Sequence, residues 1–494
     1  MNRSVLSLAV GAALVISDAM ACTTIFVGEN ASSDGAQYIA RNEDMNPANP
    51  KVLQVNQEKV NKDTEFKTNL NKFTYTLPEK AMRYTTIPEW NDKGQFRFSS
   101  NGFNDAGVGI SATETIFANE ASLKIDPYVE DTGIIEDAIP DVVLPYVSSA
   151  KEGVMRLGKI IEEKGAGEGF GVAFIDKDGI WYLETGSGHQ WMAAKIPANT
   201  YYVTANQGRL EKFDMNDKEN YLSSPTLISF AEKNGLYDPK KDGEFNFKKA
   251  YTKDDAKSDG YYNYPRVLVL QKMYNPEIKT DFKDVKSNDF PVFLKPAKKL
   301  GLEDIKAGLR NHYENVGTSP YATTYPDTTK RPISVFRTQH SHILQVRKDL
   351  PKEIGNVRYI AFGMPTLSVY VPVYYGPDSY VEAYTIGSPQ ADNASAHWKF
   401  RKLQTLAMID FNKYSKIVQA EYSKQEAEFA KEQQAMEKEY LSIYKTDPAK
   451  AKQLLQDFQN KVMQDALNTT DKLTNIIMQD LTNSVNERYR FKGA

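Results

Sequence analysis

A single cysteine, Cys22, occurs in 494 residues. One thiol cannot close an intramolecular disulfide, so the fold must be held by its core, and no thiolate zinc cluster can form. Charge of one sign is also lacking. With 61 basic and 64 acidic residues the formal net charge is −3, which leaves no field to draw nucleic acid or an anionic membrane. The expected partner is therefore small. Beyond residue 21 no apolar run approaches the roughly 20 residues that cross a bilayer, so no membrane span is expected. HEXXH, Walker and GxGxxG patterns are missing, as are repeats of fixed period and low-complexity tracts. No metal and no organic cofactor are expected. What the chain has in quantity is aromatic side chains, 29 Tyr and 23 Phe, and enough length for a large domain with an appendage.

The position of the one cysteine is more informative than its rarity. Arg3, the apolar run Val5 to Ile16 and the small residues Ala19 and Ala21 have the order of a secretory leader, residues 1–21, with Cys22 first in the mature chain. Export is expected, to the periplasm or the medium. A residue that carries both a thiol and a free α-amine combines a nucleophile with a base. Two other readings of the segment exist. A lipoprotein also places Cys at a cleavage point, but its usual site has a Leu-like residue three positions earlier, where this chain has Ala19. The plainer alternative is a leader followed by an unremarkable buried thiol.

From Cys22 to about residue 393 short β-rich runs broken by Gly, Asp and Pro alternate with helical stretches, which predicts one mixed α/β domain. Within it, residues 208–299 show little periodicity and read as loops and short elements. Residues 394–494 read as a helical extension. Phe400, Leu403, Ala407, Phe411, Tyr414, Val418 and Tyr422 form a stripe at spacings of three and four, continued by Phe429, Met436 and Tyr440. Packing on its own domain or in a helical hairpin is expected, with a dimerising coiled coil, and so a homo-oligomer, as the alternative. Asp447 before Pro448 predicts a helix start, with Leu454, Leu455, Phe458 and Val462 on its buried face.

Around Cys22 the pattern predicts a hairpin: residues 22–28 as one strand, Asp34-Gly35 in the turn, residues 36–41 returning. That register sets Cys22 opposite a position near Glu43 and brings Arg41, Asn42 and Asp44 towards the thiol. A guanidinium there favours the thiolate, and a carboxylate can orient the protonated amine. The α-amine, with an unperturbed pKa of about 7.7 to 8.0, can take and return a proton near neutrality.

The blocks Cys22-Thr23-Thr24-Ile25, Ser33-Asp34-Gly35 and Ala40-Arg41-Asn42-Glu43-Asp44 resemble the start of the bacterial dipeptidases of the N-terminal nucleophile hydrolases, relatives of bile salt hydrolases and penicillin V acylases. Gly102 to Val108, Thr113-Glu114-Thr115, Trp181 to Thr185, Tyr202 to Asn206, Phe245-Asn246-Phe247, Gln339 to His342 and Ser368 to Pro372 extend the resemblance to about Asp410. It implies a four-layer αββα sandwich and a cysteine dipeptidase that takes small peptides. It also implies catalytic roles for Cys22, Arg41 and Asp44, for Asn206 as an oxyanion donor, and for Arg266. The acylases have an Asn near the place of Glu114. A carboxylate cannot donate to an oxyanion, yet it can bind a dipeptide's ammonium, so Glu114 and Asn42 are the substrate-binding candidates; a purely structural Glu114 is the other reading. An amidase acting on N-acyl amino acids or bile-salt-like amides, and a lipid-anchored peptide-binding protein, remain the rival functions.

Overall fold

The structure is a computed structural model that describes residues 21–494 except 63–64, 69, 94–97, 318, 323–328, 492 and 494. The leader read from Arg3, the Val5 to Ile16 run and Ala19 lies outside those residues.

Thr23, Thr24, Ile25 and Val27 are β-branched and fall in β1 (Ala21–Val27); β2 (Gln37–Asp44) returns antiparallel to it. The connecting turn holds Gly35 at φ 73°, in the left-handed region, while Asp34 Oδ1 accepts the Ala36 amide at 3.1 Å. Cys22 pairs with Glu43 and Thr24 with Arg41, the register that the hairpin pattern predicts. The chain then forms β3 (Asn101–Phe103), β4 (Gly109–Thr115), β5 (Phe170–Asp176), β6 (Gly179–Thr185), β7 (Trp191–Lys195), β8 (Tyr201–Thr204) and β9 (Tyr221–Ser223). Last come β10 (Thr338–Val346), β11 (Asn356–Phe362) and β12 (Val371–Tyr374). Two antiparallel six-stranded sheets result, in the orders β8-β1-β2-β10-β11-β12 and β9-β7-β6-β5-β4-β3.

Strand alternation sorts the side chains into layers. Phe26, Ile39 and Leu344 of the first sheet meet Ala173, Ile175, Tyr182 and Met192 of the second. Outside the second sheet, Val172, Phe174 and Leu183 are covered by α1 (Ile139–Val143) and α2 (Ala150–Lys164). Gly158 allows that contact, since a Cβ there would lie 2.1 Å from Trp191 Cζ2. Ile25, Val27, Ala40 and Ile343 face the other way, under α3 (Tyr264–Tyr274), α4 (Leu302–Arg310), α5 (Ala396–Ala407), α6 (Phe411–Ile443) and α7 (Pro448–Arg488). The order of layers is helix, sheet, sheet, helix, the expected αββα sandwich.

The C-terminal stripe from Phe400 to Tyr440 is buried in the same apolar cluster as the outer face of the first sheet, so it packs against its own chain. Asp447 caps α7 by accepting the Lys450 amide at 3.0 Å, and Leu455, Phe458 and Val462 are buried, with Leu454 half-buried. No helix among the described residues is long and apolar enough to cross a membrane. The region 208–299 holds more order than its sequence suggests. Helix α3 is buried on nearly every side, from Tyr264 through Gln271, and a helix that is apolar all round shows no amphipathic period to detect.

Candidate active site

Because Cys22, Thr24 and Phe26 alternate with Thr23 and Ile25, the thiol points between the two sheets, and Arg41 and Glu43 on β2 share that face. Arg41 donates from Nη2 to Cys22 Sγ at 3.0 Å and from Nη1 to the carbonyl of Ala112 on β4 at 2.7 Å, so it is pinned across the gap. Glu43 is paired with Lys51 Nζ at 2.5 Å and lies 3.5 Å from Arg41 Nη1. Cys22, Arg41, Glu43, Met45, Phe98 and Glu136 line one narrow cavity.

The backbone of Cys22 is held separately. Its N–H donates to Asn206 Oδ1 at 3.0 Å, and Arg266 donates to the Cys22 carbonyl, to Thr23 Oγ1 at 2.8 Å and to Asn206 Oδ1 at 2.9 Å. Asn263, three residues before Arg266, accepts from Arg266 at 2.7 Å and from the Asn206 amide at 3.1 Å, tying α3 to the end of β8. Two donors converge on the Asn206 side-chain oxygen, which fixes the amide's orientation and turns Nδ2 to the Thr115 carbonyl at 3.1 Å. The sequence reading makes Asn206 an oxyanion donor; in this arrangement its carbonyl serves the nitrogen of Cys22.

The other two hairpin candidates lie on the opposite face of β2. Asn42 Nδ2 donates to the carbonyls of Leu309 at 2.9 Å and Ile333 at 3.1 Å, under the helices and away from the thiol. Asp44, fully buried, accepts from Arg331 and from Thr338 Oγ1. The hairpin thus brings Arg41 to the sulfur, while the strand's period of two carries Asn42 and Asp44 past it.

Burial pushes the Cys22 thiol from 9.0 up to about 12; Arg41 opposes that shift, and Glu114, Asp44 and Glu43 add to it. Arg41 acts in the expected direction, but removal of the sulfur from water outweighs it. Arg266 is drawn down to about 10 by its own burial and by Arg331.

Glu114 is buried behind this cluster, its Oε2 accepting from Thr24 Oγ1 at 2.5 Å. Burial raises its carboxyl from 4.5 to about 7, against the pull of Arg41, the Thr24 hydrogen bond, Arg266 and Arg331. The folded chain therefore holds this proton more tightly than the unfolded chain, and stability falls as pH rises from 4.5 through 7. Glu114→Gln removes that penalty. The variant's stability relative to wild type, from urea midpoints, is expected to improve between pH 5 and pH 8 by on the order of 3 kcal/mol. An unchanged difference at the two pH values would mean that Glu114 ionises freely.

His340 and His342, two positions apart on β10, share a face, with ring centroids 5.4 Å apart. Their ring nitrogens meet Ser100 Oγ at 3.2 Å, Asn101 Nδ2 at 2.9 and 3.1 Å, and Ser111 Oγ at 2.9 Å. They form a neutral polar bridge between the sheets, with burial holding both well below the usual histidine range. Among the described residues no group of three or more His, Cys, Asp or Glu is placed to hold a metal ion.

Sequence reasoning misses Lys51, Glu136, Asn263 and Arg331. Glu136, Asn263 and Arg331 reach the site from far along the sequence, and Lys51 from the loop shortly after β2. Only Asn263, one helical turn before Arg266, and Glu136, a carboxyl set in the apolar stretch Ile134 to Ile139, left any local trace.

The sequence profile of peptidase family C69 matches residues 21–425. A probable dipeptidase of Salmonella dublin is 55% identical over 361 residues, 73% of this chain and 82% of that protein. A probable dipeptidase of Latilactobacillus sakei is 38% identical over 410 residues, 82% and 84% of the two chains. Among solved structures, a mutant of the conjugated bile acid hydrolase of Clostridium perfringens aligns with a TM-score of 0.31 at 13% identity, covering 72% of this chain and 92% of that one.

Proposed function

Because the chain belongs to peptidase family C69 and is thereby a peptide-bond hydrolase, we propose that it is an exported dipeptidase whose nucleophile is Cys22 at a processed N-terminus. The observation that carries this reading is the separate holding of the two reactive ends of one residue. Sγ lies 3.0 Å from Arg41, and the nitrogen lies 3.0 Å from Asn206 Oδ1. Relatives that carry the name probable dipeptidase support the substrate class. The leader pattern ending at Ala21 supports the processing and the export.

Once Ala21 is removed, the nitrogen of Cys22 is an amine rather than an amide. The Arg266 guanidinium bonded to the carbonyl of the same residue disfavours the ammonium form and keeps the amine available as a base. The thiol proton passes to that amine as Sγ adds to the scissile carbonyl carbon, forming a tetrahedral oxyanion. The amine returns the proton to the leaving nitrogen, the C–N bond breaks, and a thioester remains. Water, deprotonated by the same amine, adds to the thioester; the C–S bond breaks and the thiol recovers its proton. Arg41 stabilises the sulfur as it gains negative charge, which matters because burial holds the thiol up at about 12 even with Arg41 beside it.

The purified mature protein is expected to start at Cys22 by mass spectrometry and to prefer unblocked dipeptides over their N-acetylated forms and over acyl amides by kcat/KM. Preference for the acylated substrates would turn the reading to an amidase, and diacylglycerol on Cys22 would turn it to a lipid-anchored binding protein, because a thioether has no nucleophile.

A further inference from the structure

We propose that Glu136 is the carboxylate that receives the α-ammonium of the substrate, an assignment that rests on the dipeptidase reading above. In a dipeptide the ammonium nitrogen is separated from the attacked carbonyl carbon by the α-carbon alone, so it must come to rest within a few ångströms of the thiol. A carboxylate that meets it has to line the thiol's own cavity. Glu43 and Glu136 do so. Glu43 is committed, paired with Lys51 at 2.5 Å and beside Arg41 at 3.5 Å. Glu136 is half committed: Oε2 accepts from Thr113 Oγ1, whereas Oε1 has no hydrogen-bond partner among the described residues, although the residue is only 8% exposed. A buried carboxylate oxygen left without a donor is costly, and an ammonium supplies the donor. The free space beside these groups is 10 Å3, about the size of one water molecule and so of an ammonium head. Met45 and Phe98 are the half-buried members of the lining.

Glu114 fits the task less well. Its carboxyl is turned to Thr24 of β1, and it does not line this cavity. The charged surroundings of Glu136 agree with an empty ammonium site. Burial, and then Glu168, hold its carboxyl well above the usual range, against Thr113 and Arg41 and reinforced by Glu43. Glu168 Oε1 accepts the backbone amide of Glu136 at 3.0 Å. Burial and Glu168 thus bias the carboxyl towards its neutral form in the empty cavity, and an incoming ammonium favours the carboxylate.

The test is calorimetry on the mature Cys22→Ala protein with alanyl-alanine and with N-acetyl-alanyl-alanine, at pH 6.5 in buffers of differing ionisation enthalpy. Alanyl-alanine is expected to bind with net proton release, and the acetylated ligand with none. Adding Glu136→Gln is expected to remove the proton release and weaken alanyl-alanine by at least about 30-fold, while the acetylated ligand changes several-fold less. Adding Glu136→Asp, which keeps the charge on a shorter stem, is expected to retain proton release at reduced affinity, and it serves in place of the Gln variant if that one does not fold. Proton release that survives Glu136→Gln, or that is lost with Glu114→Gln instead, would overturn the assignment. So would equal losses for the two ligands, or a Glu136→Asp variant with wild-type discrimination. Failure of the reading beneath it is distinguishable, because then the wild-type enzyme itself does not cleave alanyl-alanine.

Discussion

Cys22→Ala is expected to abolish turnover of every substrate, and a protein that retains Ala21 ahead of an intact Cys22 is expected to be as inactive. The two chains lose different halves of the proposed catalytic residue. In the first no sulfur is present to form the thioester. In the second the nitrogen is an amide that still donates to Asn206 Oδ1, but it has no lone pair for a proton. The thiol, held up at about 12, then has no base to ionise it near neutrality. The loss in kcat is expected to be at least about 10⁴-fold for each, measured by release of free amino acid from an unblocked dipeptide. Combining the two changes should add nothing, because each already stops the same step. Wild-type turnover in a chain that mass spectrometry shows to begin at Ala21 would remove the α-amine from the mechanism.

The second large effect is on stability. Asp44 has no exposed surface, and Arg331 and Thr338 Oγ1 both bond its carboxylate. Asp44→Ala takes the Asp44 carboxylate from the Arg331 guanidinium, whose side chain is 9% exposed, in a region that already contains Arg266. Breaking a buried pair from one side costs about 3 to 5 kcal/mol, because the remaining charge stays desolvated. Urea unfolding should show a loss of that size. Asp44→Asn, which keeps an acceptor for Thr338, should lose less. A loss below about 1 kcal/mol would mean that water reaches Arg331 and that the pair behaves as an exposed one.

The hairpin around Cys22 was legible in the sequence because its causes are local: β-branched residues on one strand, an Asp-Gly turn, and a return strand of matching length. Those features place Cys22 against Glu43 and Thr24 against Arg41 without help from the rest of the chain. The same period of two that fixes this register also decides which neighbours reach the sulfur. Arg41 does so; Asn42 and Asp44, one position out of phase, turn under the helices. The C-terminal helices were legible for a similar reason, since a stripe at spacings of three and four needs a single partner surface. Helix α3 was not legible. Layers on every side of it bury apolar residues all round, and with the period went the strongest clue that Arg266 is held beside Cys22.

The hairpin that sets Cys22 against Glu43 and brings Arg41 to its sulfur follows from the sequence alone, because it depends on residues near one another along the chain. What surrounds that pair comes from the way the sheets and helices pack. Asn206, itself anchored by Asn263, holds the nitrogen of Cys22, Lys51 holds Glu43, and Glu136 stands in the thiol's cavity with one oxygen unsatisfied. These groups come from separate strands, loops and helices, and they meet through the stacking of two sheets, so burial, not any local pattern, sets both their contacts and their charge states.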